Sequence, residues 1–238
     1  MVIRARRERL GVIRGELLEG VEQVNRKGNK TRVNPLKNDT DVKAMAAYLK
    51  KTDAERGQAA FIVWLLCVNG GLRVSDALEL RIASVCGQGK KVKPELTIAE
   101  KKTGKLRLIP LGENVRRELQ GYIDGLRWKD GIKYQSYLFP SSRKKGQHVS
   151  YQWMYNRVKE AAAACGLGEN IATHVMRKTF ARMWYENNLG RYGGSVTACA
   201  TALQENVLHH AKLSISLRYI DAEEEYARET YKGIDITI

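Results

Sequence analysis

The chain of 238 residues is long enough for one large domain, or for a domain with a small extension. Apolar residues make up 43% of it, enough for a full-sized core, yet no stretch stays apolar over the ~18 residues that a membrane span requires. Forty-one Lys and Arg against 26 Asp and Glu leave a net charge of +15, which points to a polyanionic partner, nucleic acid before an anionic membrane surface.

The N-terminus is basic without an apolar h-region, so a cytoplasmic protein is expected rather than a secreted one. Cys67, Cys86, Cys165 and Cys199 lie far apart with no C-x-x-C pair, and read as reduced core thiols rather than zinc ligands. Walker A and G-x-G-x-x-G loops are absent, and no carboxylate cluster suggests a Mg²⁺-dependent nuclease.

Residues 1–37 form a basic arm, with Arg4, Arg6, Arg7, Arg9, Arg14, Arg26, Lys27, Lys30, Arg32 and Lys37. Val12, Ile13, Leu17, Leu18, Val21 and Val24 recur at helical spacing, which predicts one short helix packed on the body or on DNA; a solvated basic tail is the alternative. Gly28-Asn29-Lys30 breaks this helix, and Asn34-Pro35 starts an extended linker.

Asp39 or Thr40 is expected to cap the next helix, through about Lys51, with Val42, Met45, Ala46 and Leu49 facing inward. Phe61 to Val68 is too apolar to be anything but a buried helix, and Asn69-Gly70-Gly71 supplies its C-terminal stop. Ser75 begins a new helical turn just after Arg73, which should be partly desolvated. Either an ion pair with Asp76 or a phosphate would satisfy it.

Leu96–Ala99 and Leu106–Pro110 read as a hairpin around Lys101-Lys102-Thr103-Gly104-Lys105. Helix signals return at Glu113–Trp128, Leu138–Ser141 is a short extended piece, and Arg143-Lys144-Lys145-Gly146 is a basic loop. Ser150 caps Tyr151–Cys165, and Thr173 is expected to cap a helix on which His174 and Arg177 project to one side. After the Gly193-Gly194 joint come a helix at Ser195–Glu205, the stretch from Asn206 to Ile220, and a last helix around Glu223–Tyr231. Ile234, Ile236 and Ile238 then alternate as in a strand.

A lone Tyr219 would ordinarily be a half-buried aromatic, because a phenol with pKa about 10 is a poor nucleophile. Its company changes the reading. A phenol attacking phosphate needs cations on the equatorial oxygens and a proton donor for the leaving group. Arg73, Lys102, His174 and Arg177 supply both.

In order and spacing, these segments resemble the tyrosine recombinases, the phage-integrase family. Gly71-Leu72-Arg73-Val74-Ser75-Asp76-Ala77-Leu78 is similar to the family's first arginine box, and Lys102 falls where its hairpin lysine is kept. His174-Val175-Met176-Arg177 matches the His-x-x-Arg box, His210 the second histidine, and Tyr219 the nucleophile. The match spans roughly 40 to 220. Lys178 stands where the family often has a histidine, and His209 where a glycine commonly precedes the second histidine. Most members also carry a helical core-binding domain of ~80–100 residues that about 40 residues cannot supply. The layout is thus similar to the single-domain fimbrial-switch invertases, or to a catalytic domain cut from something longer.

The resemblance implies a mixed α+β fold, mainly α-helical with a small antiparallel sheet. It divides the chain into the arm 1–37, a catalytic domain 38–221, and a tail 222–238 that is the candidate for exchange between protomers. It implies a site-specific recombinase acting on double-stranded DNA through a 3′-phosphotyrosyl intermediate and a Holliday junction, with no metal and no cofactor. The protein would be a homotetramer on paired sites, a monomer or dimer when free, and nucleoid-associated. Arg73 and Arg177 would hold the phosphate, Lys102 would protonate the leaving oxygen, and His174 and His210 would assist Tyr219, with Asp76 in support. Lys101, Lys105, Arg143, Lys144, Lys145 and Lys178 are the expected DNA contacts. Rival readings are a type IB topoisomerase-like relaxing enzyme, a catalytically silent DNA-binding accessory protein, and a basic RNA-binding module.

Overall fold

Asn38, one residue before the expected cap, starts the first helix of the body: its Oδ1 accepts the Asp41 amide at 2.8 Å. The computed structural model describes residues 33–52, 58–99, 104, 106–126, 131–168 and 170–231. The chain divides into two units, Met1–Arg32 and Val33–Ile238. The arm helix, Lys101, Lys102, Lys105 and the expected strand at residues 234–238 therefore lie outside the described residues.

Helix α1 spans Asp39–Thr52 and buries Met45 and Leu49. Helix α2, Ala59–Gly70, is buried at every position but Asn69, as its unbroken apolar run requires. The short α3 (Val74–Leu78) and α4 (Ile82–Val85) lead to the hairpin of β1 (Glu95–Ala99) and β2 (Leu106–Pro110). The strands pair antiparallel, Glu95 opposite Pro110 and Ala99 opposite Leu106. Alternation sends Leu96, Ile98, Ile109 and also Arg107 inward, leaving Leu106 and Leu108 74% and 60% exposed.

Helix α5 runs Glu113–Asp124, shorter than expected, and buries Val115, Leu119, Tyr122 and Ile123. The Tyr122 hydroxyl donates to the Leu138 carbonyl at 2.9 Å, fixing the extended piece through Leu138 and Phe139 in the core. In α6, Tyr151–Ala164, Ser150 Oγ accepts the Trp153 amide as its cap.

Thr173 stands at the N-cap position of the next helix but makes no side-chain capping bond; its hydroxyl bonds the Tyr151 hydroxyl at 2.6 Å instead. Helix α7, His174–Asn188, joins the main core to a second apolar cluster built from α8 (Val196–Ala202), the π-helical turn Leu203–Leu208, and α9 (Leu213–Ile220). Helix α10, Glu223–Thr230, folds back onto its own chain. There Glu229 accepts Ser195 Oγ at 2.6 Å and the Thr197 amide at 2.9 Å, capping α8, and Glu225 accepts the Tyr185 hydroxyl at 3.1 Å. Cys67, Cys86 and Cys199 are buried, Cys165 is half-buried, and all are free thiols.

The end of α2 sets how closely the main core meets α7. Gly71 turns left-handed at φ 62, and a Cβ there would clash with the Phe180 ring of α7. Gly71→Ala should therefore lower stability by about 2–4 kcal/mol, combining left-handed strain with overpacking. A urea titration checks this as a lower midpoint at unchanged slope.

Candidate active site

Two buried arginines converge on the carbonyl end of α2. Arg107 of β2 donates to the Gly70 carbonyl at 3.0 Å and to the Gly71 carbonyl at 3.4 Å. Arg177 of α7, 2% exposed, donates through Nη1 to the same Gly71 carbonyl and through Nη2 to the Leu208 carbonyl at 2.8 Å. Unsatisfied carbonyls carry the negative end of a helix dipole, so cations are stabilised there. Gly71 lies two residues before Arg73 and Leu208 two before His210. One guanidinium thus ties all three sequence boxes together.

Arg73 precedes the first turn of α3 in extended conformation. Its Nη1 lies 3.6 Å from Asp76 Oδ2, the ion pair the sequence allowed for, and Asp76 is buried. Cys67 belongs to the same neighbourhood. Burial pushes its thiol up to about 12, against the opposing pull of Arg177 and with the help of Asp76, so it is no nucleophile at neutral pH.

His174 opens α7 and reaches the surface. Partial desolvation first, then the cations of Lys178, Arg177 and Arg73, hold its imidazole below the usual value of 6.5. Its neutral form therefore prevails at pH 7, able to accept a proton.

His210 follows a residue that the backbone forces into an unusual shape. The π-helical turn ends at His209 with φ 52 and ψ 45, the left-handed region where glycine is the default. This gives the physical reason why a glycine suits that position and marks His209 as a tolerated exception. His210 is held at three atoms. Its amide donates to the Gln204 carbonyl, its carbonyl accepts Gln204 Nε2, both at 3.2 Å, and its Nδ1 lies 2.9 Å from Ser216 Oγ. The ring then meets Tyr219 edge-on, centroids 4.4 Å apart and planes at 64°.

Tyr219 lies near the end of α9, half-buried. In Tyr185, a buried member of the same apolar cluster, burial and then the bond to Glu225 push the phenol above the usual range, which disfavours ionisation. Lys178, expected at the DNA surface, is instead 7% exposed, its Nζ 5.4 Å from the Tyr219 ring centre. Arg143, Lys144 and Lys145 are exposed on a turn whose Arg143 and Lys144 amides donate to Ser141 Oγ at 3.2 Å.

The structure thus gathers Arg73, Asp76, Arg177, Lys178 and His174, and it pairs His210 with Tyr219 in contact; Lys101, Lys102 and Lys105 are outside the described residues. Sequence reasoning missed Arg107, Gln204 and Ser216. Ser216 carried a signal, since three residues before Tyr219 on one helix puts it on the same side. Arg107 carried one too, as an inward register position between Ile98 and Ile109 of a half-buried hairpin.

A mainly helical domain with one small antiparallel sheet, a cluster of arginine and histidine, and a tyrosine at its edge has the layout of a tyrosine recombinase catalytic domain. The sequence matches the phage integrase family model over residues 42–225, and the chain belongs to that family. It is similar to the probable integrase/recombinase YoeC of Bacillus subtilis (strain 168), with 32% identity over 200 residues, 84% of this chain and 96% of that protein. Against tyrosine recombinase XerD of Vibrio cholerae serotype O1 the identity is 26% over 163 residues, 68% of this chain and 48% of that protein. The fold is shared with XerA recombinase, at TM-score 0.59 and 21% identity over 86% of this chain and 67% of that one. It is shared also with XerH in a post-cleavage complex on a palindromic difH substrate, at TM-score 0.62 and 19% identity over 88% of this chain and 56% of that one.

Because Arg177 feeds buried carbonyls, its loss should be structural. Arg177→Met should cost about 3 kcal/mol of folding stability by leaving the Leu208 carbonyl without its donor and weakening the bonding at Gly71. Chemical denaturation checks this, and an unchanged midpoint would show that these bonds do not hold the fold.

Proposed function

We propose that the chain cuts and rejoins double-stranded DNA at a specific site, with Tyr219 as nucleophile. The observation that carries this reading is the edge-on contact of His210 with Tyr219, on a segment tied by Arg177 to the end that presents Arg73. The Tyr219 oxygen attacks a phosphodiester phosphorus, a 3′-phosphotyrosyl bond forms, and the bond to the 5′-oxygen breaks. A 5′-hydroxyl freed by the same cleavage on the other duplex later attacks the phosphotyrosine and returns the tyrosine. One phosphate ester replaces another at each step, so no nucleotide is consumed.

Arg73 and Arg177 neutralise the non-bridging oxygens as charge builds. In this reading Arg177 serves the fold through the Gly71 and Leu208 carbonyls and adds its charge to the phosphate site. Lys102 supplies the proton for the leaving 5′-oxygen. His174, neutral at pH 7, accepts the phenol proton, and His210 donates to a phosphate oxygen. Arg143, Lys144 and Lys145, with Lys101 and Lys105 of the hairpin, follow the DNA backbone. Exchange between two duplexes calls for four protomers and a Holliday junction. Residues 222–238, held to their own chain through Glu225 and Glu229, are the segment that would pass to a neighbour.

Tyr219→Phe should bind duplex DNA as the parent does and form no covalent adduct, as read by denaturing gels after incubation with DNA carrying the cleavage site. An adduct in the Phe variant would place the nucleophile elsewhere. The pH dependence tests His174. A base with a lowered pKa keeps its acceptor form above that value and loses it as pH falls through it. The acid limb of single-turnover cleavage should thus lie below 6.5 and disappear in His174→Gln.

A further inference from the structure

Lys178 carries an ammonium group into a place where water is scarce. Taking a charge out of water is costly unless something compensates it. Here Nζ donates to the Val33 carbonyl at 2.7 Å and faces the Tyr219 ring, with its centre 5.4 Å away. Methionine would fill similar space without that cost, so packing alone does not account for a lysine.

Val33 begins a short strap, residues 33–37, laid along α7. Leu36 is buried, and its amide donates to Thr179 Oγ1 at 3.0 Å. Lys37 pairs with Asp221 at 2.6 Å, and Asp221 is the left-handed residue, φ 56, that ends the Tyr219 helix. The strap therefore meets the nucleophile's helix twice: through Lys178 at the ring, and through Lys37 two residues further on.

We propose that Lys178 and residues 33–37 form a clasp that positions the Tyr219 phenol for attack, with Lys178 a positioning residue rather than a DNA contact. This rests on the reading of Tyr219 as nucleophile. An ammonium over a ring face attracts it, and the attraction grows as negative charge develops on the phenol oxygen. After desolvation, the same ammonium contributes most to holding His174 in its neutral form, so one cation acts on both the attacking group and its base. A displacement of about 1 Å at a reacting atom can cost about a hundredfold in rate. Two tethers on one short helix guard against that.

The test compares the full chain with Lys178→Met, Lys178→Arg and Lys37→Met. A nicked duplex carrying the cleavage site traps the phosphotyrosyl adduct and gives binding and single-turnover rate separately. Nitration by tetranitromethane, read by peptide mass spectrometry without DNA, reports how firmly Tyr219 is held, with the 73% exposed Tyr231 as reference. Lys178→Met should bind DNA like the parent, cleave about tenfold more slowly or worse, and nitrate Tyr219 several-fold faster. Lys178→Arg should regain most of the rate, and Lys37→Met should speed nitration with binding unchanged. Weaker binding at an unchanged rate would make Lys178 a DNA contact and overturn the clasp. Unchanged nitration in Lys178→Met, or no recovery in Lys178→Arg, would overturn it as well. If Lys178→Met does not fold, Lys37→Met decides, since that side chain is 59% exposed; unchanged nitration and rate there would sink the proposal. An adduct that survives in Tyr219→Phe would instead show that the nucleophile reading had failed.

Discussion

The structure depends on a positive charge buried where the chain offers bare carbonyls. Arg177 spends its guanidinium on the main chain of Gly71 and of Leu208, and Arg107 reaches Gly71 and Gly70 from the hairpin. A helix that ends in the core leaves carbonyls that water cannot reach, and burying them unpaired costs free energy. Two arginines answer that need at α2. The same solution places cations beside Arg73, so the groups that repair a helix end are also those proposed above to hold a phosphate.

Backbone shape does the remaining positioning. Gly71, His209 and Asp221 all adopt left-handed conformations, and each stands beside a group of the site: Arg73, His210 and Tyr219. A left-handed residue reverses the chain within one step, which lets a helix stop and its neighbour start at a fixed angle. Ser216 and Gln204 then hold His210, and the clasp proposed above would hold Tyr219. The charges are carried by side chains, but where they meet is decided by turns.

Much of this was legible in the sequence, for identifiable reasons. Phe61–Val68 could only be a buried helix, and Gly70-Gly71 could only end it. The hairpin around Lys101–Lys105 showed by two short apolar runs flanking a glycine turn, and the boxes around Arg73, His174, Arg177, His210 and Tyr219 by their order. What stayed hidden depends on contacts between distant segments. Thr173 looks like a cap, yet Tyr151, far away in sequence, takes its hydroxyl. Lys178 looks like a surface cation, yet the strap beginning at Val33 covers it. Arg107 looks like the charged position of an exposed strand, although register turns it inward. Local pattern reveals which face a residue belongs to, and it does not reveal what arrives to cover that face.

If this arrangement makes Tyr219 the group that becomes bonded to DNA, as proposed, a trapped protein–DNA adduct shows it most directly, once digested with nuclease and protease and sequenced as the nucleotide-bearing peptide by mass spectrometry. The residual nucleotide should lie on Tyr219, joined through a 3′-phosphate. A nucleotide on Tyr226 or Tyr231, or one joined through a 5′-phosphate, would contradict the role proposed for Tyr219.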